Sequence, residues 1–322
     1  IVGRVPEEII IPFKWDYARM FYSKKNPIIA VGNYTDKKVG NYLGAKNELR
    51  CAILDTKKQF LSNFIFGHIT TGFSCQNLYF HIGEYSVKVN LVQDDIVYSI
   101  PFFDYESYDK NGKYFKGSPF NNVKLFIDTE TTGLPLNDKL PYTNLDNWPH
   151  LVQVALIIED ENYGILSKRN FILKPDGYSI PESSTKIHGI SNEKAINDGE
   201  DRNKVLSFLD LVLYNSDIII GHNVSFDINV IKSEIMRVKG IENALFVKKK
   251  HYVIDTMKIG MDICKLPNPS FYSRRSQPYK YPKLDELYYK LFNKHFDNQH
   301  DAMADIQATY DCYYELKKKS VL

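Results

Sequence analysis

The chain has 322 residues, 43% of them hydrophobic and 25% charged, with a net charge of +2. That length favours two domains over one, and the balanced composition excludes a disordered or fibrous chain. So small a charge draws no polyanion by bulk electrostatics, and any nucleic-acid site must be a local patch.

Aromatic residues reach 14%, with 23 Tyr and 19 Phe, which serve a core and its border first and base stacking second. Cys51, Cys75, Cys264 and Cys312 are scattered without CxxC spacing. This argues against a zinc module or a disulfide framework and for a reducing, cytoplasmic setting. No apolar run approaches the roughly 18 residues of a spanning helix, and the start lacks a signal-peptide pattern, so no membrane association is expected. The chain opens on Ile1 rather than Met, so an upstream segment is expected to be missing or processed.

Residues 1–103 alternate short apolar runs with polar turns, including Glu8 to Phe13, Cys51 to Leu54 and Asn77 to Ile82. They read as a small α+β or mainly β domain. Tyr85 to Val92 and Asp95 to Phe103 are expected to form a β-hairpin about Asp94-Asp95. The doublets Lys24-Lys25, Lys37-Lys38 and Lys57-Lys58, with Tyr22, Tyr34 and Tyr42 among them, fit either a nucleic-acid surface or, more simply, solvated loops. No chemical motif is present here; a protein partner for residues 1–103 and the oligomeric state are both open. Residues 104–122, polar and carrying Gly112, Gly117 and Pro119, read as a linker to a domain over 123–322.

That second domain begins with strand candidates at 123–128, 151–159 and 168–174. A helix follows through Val205, Leu206, Leu209 and Leu213, then a buried strand at 217–221 and a helix from Ser225 to Lys239. Strands first, then a helix returning to a new strand, imply an α/β fold: a mixed sheet flanked by helices. The first strand runs into Asp128-Thr129-Glu130-Thr131-Thr132-Gly133. Residues two apart on a strand share a face, so Asp128 and Glu130 converge, and two adjacent anions call for a cation, such as a divalent metal. A polar strand end at a surface turn would look the same. Asp227 follows Gly221-His222-Asn223 at a strand-to-helix junction, where the helix dipole favours a carboxylate with or without a ligand. Asp305 lies on a terminal helix rich in alanine, five residues after His300, which falls in its first turn or just before it.

Together these stretches resemble the DnaQ-like, DEDDh family of 3′-to-5′ exonucleases over residues 124 to about 317. DxExTG is matched by Asp128–Gly133, HNxxFD by His222–Asp227 and HxAxxD by His300–Asp305. Asp301 stands where the tyrosine subgroup would carry Tyr, so His300 assigns the histidine subgroup. His188-Gly189-Ile190 resembles the family's HGI segment, although a plain turn is also consistent.

The resemblance implies a ribonuclease H-like fold and a two-metal hydrolysis of phosphodiesters. Asp128, Glu130, Asp227 and Asp305 would hold two Mg²⁺ ions, or Mn²⁺ in their place, with His300 as general base. It also implies that Thr131, Thr132, Gly133 and Leu134 hold the last sugar and base, with His188, Gly189, Ile190, Asn223 and Phe226 around them. The partner would be nucleic acid with a free 3′ end, single-stranded or frayed, released as nucleoside monophosphates. The basic, aromatic stretch 267–283, with Arg274 and Arg275, is either a loop over the substrate or an ordinary surface loop. An alternative function is a nucleic-acid-binding or scaffold protein whose nuclease domain is inactive or auxiliary. DNA and RNA are not distinguished, nor are proofreading, DNA repair, RNA processing and defence.

Overall fold

The computed structural model describes residues 15–21, 28–41, 44–54, 61–63, 65–71, 77–90, 96–103, 105–108, 111–269 and 277–321. The chain divides into two units, Ile1–Asn121 with Asp160–Lys168, and Asn122–Glu159 with Arg169–Leu322. Among the described residues no helix is long and apolar enough to cross a membrane.

The first unit is mainly β. Strands β1 (Tyr17–Phe21), β2 (Ile28–Asn41) and β3 (Gly44–Leu54) form an antiparallel sheet. Strands β4 (His68–Thr71), β5 (Asn77–Ile82), β6 (Tyr85–Asn90), β7 (Tyr105–Tyr108) and β8 (Tyr114–Gly117) form a second, paired in chain order. Cys51 and Phe66 bridge the end of the first sheet through two backbone hydrogen bonds, 2.7 and 3.2 Å. In β5 alternate residues are buried, and Leu78, Phe80 and Ile82 pack inward with Val87 and Val89 of β6. Phe66, Phe80, Phe103 and Tyr105 follow one another in a chain of ring contacts 5.1 to 6.0 Å apart.

Two expectations change here. Among the described residues, 85–90 and 96–103 do not pair as a hairpin. Strand β6 pairs with β5 through the two-residue Gly83-Glu84 turn, where Gly83 has φ +57, and with β7 at Ser86 and Glu106. That left-handed residue makes the tight reversal, whereas Ile96–Tyr98 is one 3-10 turn and Ile100 and Phe102 are buried. Asp94-Asp95, Glu8 to Phe13, Lys24-Lys25 and Lys57-Lys58 lie outside the described residues. The stretch read as a linker carries β7 and β8. Its polar composition hides a strand alternation in which Tyr105 and Ser107 are buried while Glu106 and Tyr108 are exposed.

The second unit is α/β. Strand β9 (Lys124–Thr131) is the centre of a five-stranded mixed sheet completed by β10 (Leu151–Asp160), β11 (Gly164–Ile172), β12 (Ile218–Gly221) and β13 (Tyr252–Asp255), in the order β11-β10-β9-β12-β13. Strand β9 is antiparallel to β10 and parallel to β12, which is parallel to β13. Every residue of β10 is buried, including Gln153, Glu159 and Asp160, as expected of a largely apolar strand covered on both faces. Strand β11 begins earlier than expected, because Gly164 at φ +69 closes the preceding turn.

The helices are α1 (Glu182–His188), α2 (Asn192–Asp198), α3 (Arg202–Asn215), α4 (Val224–Lys239), α5 (Thr256–Cys264), α6 (Leu284–Phe292) and α7 (Ala302–Lys318). Side-chain caps from Ser191, Asp201, Asp255 and Asp301 start α2, α3, α5 and α7. Helices α4 and α7 both pack on β9.

Candidate active site

Pleating divides the end of β9 between two helices. Phe126, Asp128 and Glu130 share the face toward α7, where the Phe126 ring lies 4.8 Å from Tyr310 and 5.3 Å from Tyr313. Thr129 points the other way, and its hydroxyl donates to Asp227 Oδ1 of α4 across 2.6 Å. Asp227 is thus buried in the first turn of α4. The turn before it is tight: a Cβ at Gly221 would come within 3.0 Å of the Ile127 carbonyl oxygen, and Asn223 is left-handed at φ +65.

From α7, Asp305 enters in the first turn, and His300 lies outside the helix at φ +67, its backbone N–H donating to Asp305 Oδ2 across 3.2 Å. Glu130, His300 and Asp305 bring ligand-capable atoms within 4.8 Å of one another.

The charges of this cluster press on each other. Burial first, then the Asp227, Asp305, Glu130 and Asp301 charges, raises the Asp128 carboxyl well above the ordinary carboxylate range. Burial, then Asp305 and Asp227, pushes Glu130 up to about 8. Burial raises Asp227 to about 7 against the opposing Thr129 hydrogen bond. Asp305 rises to about 6 by burial, held back by the His300 N–H. Oxygen donors gathered at such cost fit a divalent cation, which restores their ionised form.

Beside the cluster, Thr131 Oγ1 donates to the Gly133 carbonyl (2.6 Å), and Thr132 exchanges two hydrogen bonds of 2.9 Å with His150. Leu134 follows, 82% exposed, on the rim of a cleft of about 680 Å³ that Leu136, Trp148, Asn223, Phe226 and Asn229 also line. His188 ends α1, with Gly189 as its left-handed cap and Ile190 buried. Its Nδ1 accepts from the Ile190 N–H at 3.1 Å, which puts the ring proton on Nε2, buried and unpartnered. Burial lowers this imidazole's pKa. Arg274 and Arg275 lie outside the described residues.

Sequence reasoning passed over several contributors. Asp255 Oδ1 accepts from the Asn223 and Met257 N–H groups, 3.0 Å each, and so fixes the turn before Asp227. Asp301 caps α7 through Met303 and Ala304. His222, although part of a motif, is a strut, its ring held between Thr256 Oγ1 (3.1 Å) and the Pro282 carbonyl (2.9 Å). An Asp just before a helix start was the available signal for Asp255 and Asp301; nothing in the linear sequence marked Thr129.

Comparison with known proteins returned no match among curated proteins. Among solved structures the chain is similar to the zinc-bound form of the Escherichia coli exonuclease I–single-stranded DNA complex, at 24% identity and a TM-score of 0.47, covering 62% of this chain and 41% of that one. It is also similar to the E. coli exonuclease I complex with a dT13 oligonucleotide, at 23% identity and a TM-score of 0.47, covering 62% and 42%. The chain therefore spans about two fifths of the length of these proteins. The model of the RNase T family, described as exonuclease, matches residues 125–313, more than half of the chain. By that match the chain belongs to this family of DnaQ-like exonucleases.

Proposed function

We propose that the protein is a metal-dependent 3′-to-5′ exonuclease of the DEDDh type, releasing nucleoside monophosphates from the 3′ end of DNA or RNA. The observation that carries this reading is the convergence of Glu130, His300 and Asp305 within 4.8 Å, next to the raised carboxyls of Asp128 and Asp227. Asp128, Glu130, Asp227 and Asp305 would hold the ions. Two Mg²⁺ ions, or Mn²⁺, would neutralise the scissile phosphate and favour attack by water and departure of the 3′ oxygen.

His300, exposed beside Glu130 and Asp305, takes the proton from the attacking water, a role suited to an imidazole. Leu134 supplies an apolar surface for the terminal base, and the cleft toward Phe226 and Trp148 receives it. The Thr131–Gly133 turn holds the sugar, and the unpartnered His188 Nε2–H meets an acceptor on the bound nucleotide. A free 3′ end fits such a cleft, so the substrate is single-stranded or frayed. A cytoplasmic setting goes with this reading, since Cys51, Cys264 and Cys312 are free thiols; DNA repair is one role open to such an enzyme.

The test is a product time course on 3′- and 5′-labelled oligonucleotides with Mg²⁺ and with EDTA. Mononucleotide release from the 3′ label, lost with EDTA and in Asp128→Ala and Asp305→Ala, is expected. Degradation that persists in both variants, or that starts from the 5′ end, refutes it.

A further inference from the structure

The nineteen residues between β9 and β10 form a long connection whose only regular element is a 3-10 turn at Leu145–Asn147. Connections of that length are mobile unless something ties them down. This one carries Leu134, Leu136 and Trp148, three walls of the candidate nucleotide cleft. What ties it is a charge cluster centred on α4.

Glu234 of α4 is fully buried. Its Oε2 accepts from Arg202 Nη2 at 2.6 Å and Nε at 3.1 Å. Its Oε1 accepts from His150 Nδ1 at 3.0 Å and from Arg237. Arg237 then donates to the carbonyl oxygens of Leu145 (2.5 Å), Trp148 (2.6 Å) and Pro149 (3.4 Å). The His150 ring stacks on Tyr178 at 4.0 Å, and the His150 backbone makes the two hydrogen bonds to Thr132. Asn147 continues the clip, bonding Asn137 through both ends of its amide and Leu136 through its carbonyl.

Burying one carboxylate and two guanidiniums confers little stability that apolar packing would not, because desolvation offsets most of the attraction. Such a cluster supplies direction instead: a fork of donors aimed at the carbonyls of one loop, which no apolar side chain can provide.

We infer that Glu234, Arg202, Arg237 and His150 are positioning residues for the terminal nucleotide, holding the Trp148 wall and the Thr132–Leu134 turn in register across the cleft. This rests on the exonuclease reading of that cleft. Their hydrogen bonds and ion pairs run to one another and to the loop rather than to Asp128, Glu130, Asp227 or Asp305, so their effect is on how firmly a 3′ end is seated and not on the chemical step.

The experiment measures steady-state kinetics on a short 3′-labelled oligonucleotide with the full chain, comparing Glu234→Gln, Arg237→Lys and His150→Asn with the parent, each checked by thermal unfolding. Roughly a ten-fold rise in KM is expected, with kcat within about three-fold, since loosening a positioning contact costs seating before chemistry. Affinity for Mn²⁺ alone, read by titration, stays at the parent value. Because Leu134 is exposed, Leu134→Ala folds, and in that background the KM penalty of Arg237→Lys shrinks, the two acting on one cleft. A folded variant with parental KM, additive penalties, or a loss explained by unfolded protein overturns the inference. Should Glu234→Gln fail to fold, Arg237→Lys, which keeps the charge, and His150→Asn at its partly exposed position decide it. A parent without activity refutes the exonuclease reading itself, which the kinetic comparison separates from failure of the positioning role.

Discussion

Thr129 and Asp227, 98 positions apart, are joined by a 2.6 Å hydrogen bond from hydroxyl to carboxylate, and that bond opposes the burial that raises the Asp227 pKa. It links the central strand to α4 at the point where the candidate metal cluster begins. Removing the hydroxyl in Thr129→Val takes a hydrogen bond from a buried carboxylate, leaves it to backbone donors alone, and costs about 1–3 kcal/mol of stability. It also moves the Asp227 titration upward from about 7, so less carboxylate is ionised at neutral pH. Protons then compete better with a cation for this carboxylate, so Mn²⁺ affinity at pH 7 should fall and recover as pH rises. A parental pH dependence of Mn²⁺ binding would contradict this assignment.

Without metal, the carboxylates make stability depend on pH with a definite sign. Glu130 moves from an ordinary 4.5 to about 8, Asp227 from 3.8 to about 7 and Asp305 from 3.8 to about 6. The folded state therefore binds more protons than the unfolded one across this window. Their contribution is present in full below the ordinary values and is lost as pH rises through 6 to 8. In EDTA, Tm should fall from pH 5 to pH 8, by less in Glu130→Gln, and Mg²⁺ should restore it at pH 8. A Tm indifferent to both pH and Mg²⁺ would dismiss the cluster as a metal site.

His300→Ala should lower turnover by roughly 10²–10⁴ with KM little changed, the usual scale for losing a general base. A variant as fast as the parent removes His300 from that role.

His188 makes a sharper contrast. Its Nε2–H is buried and makes no well-formed hydrogen bond, although the Thr131 backbone supports the ring electrostatically; His188→Leu therefore relieves a poorly satisfied donor in the free protein, worth up to about 1–3 kcal/mol. Tm should hold or rise while oligonucleotide affinity falls. Loss of stability together with unchanged affinity would make the residue purely structural.

Glu159 is a carboxylate with the opposite sign. It accepts from Lys124 (2.8 Å), Tyr310 (2.8 Å) and Tyr314, and although burial pushes its pKa up, these donors outweigh it and hold the carboxyl low. Its contribution is present above the ordinary 4.5 and is lost as pH falls through the folded value. Lys124→Met should cost about 3 kcal/mol by leaving a nearly buried charge short of its partner. Chemical denaturation at pH 7 measures it.

The second unit was largely legible in the sequence, and for a physical reason. Strands covered on both faces, such as β10, read as largely apolar runs, and α3 and α4 carry helical spacing that burial enforces. The three motifs lie at element ends, where strand and helix signals change and are easiest to place. The first unit was less legible. The alternation of β7 hides in a polar stretch because Tyr105 and Ser107 are its inward residues, and the partner of β6 precedes it in the chain. Thr129, Asp255 and Glu234 act through residues 98, 32 and 84 positions away, and no local pattern encodes a contact of that separation.

The division of β9 into a face toward α7 and a face toward α4 makes the strand intolerant of frame. Side chains alternate at every residue, so one residue inserted after Ile127 would turn the two carboxylates toward α4 and Thr129 toward α7. Residues 124–127, ahead of the insertion, would keep their places in the sheet. Catalytic competence would vanish while most of the fold survived. Parity along a single strand, more than the presence of any one acid, separates a working site from an inert copy of the same sheet.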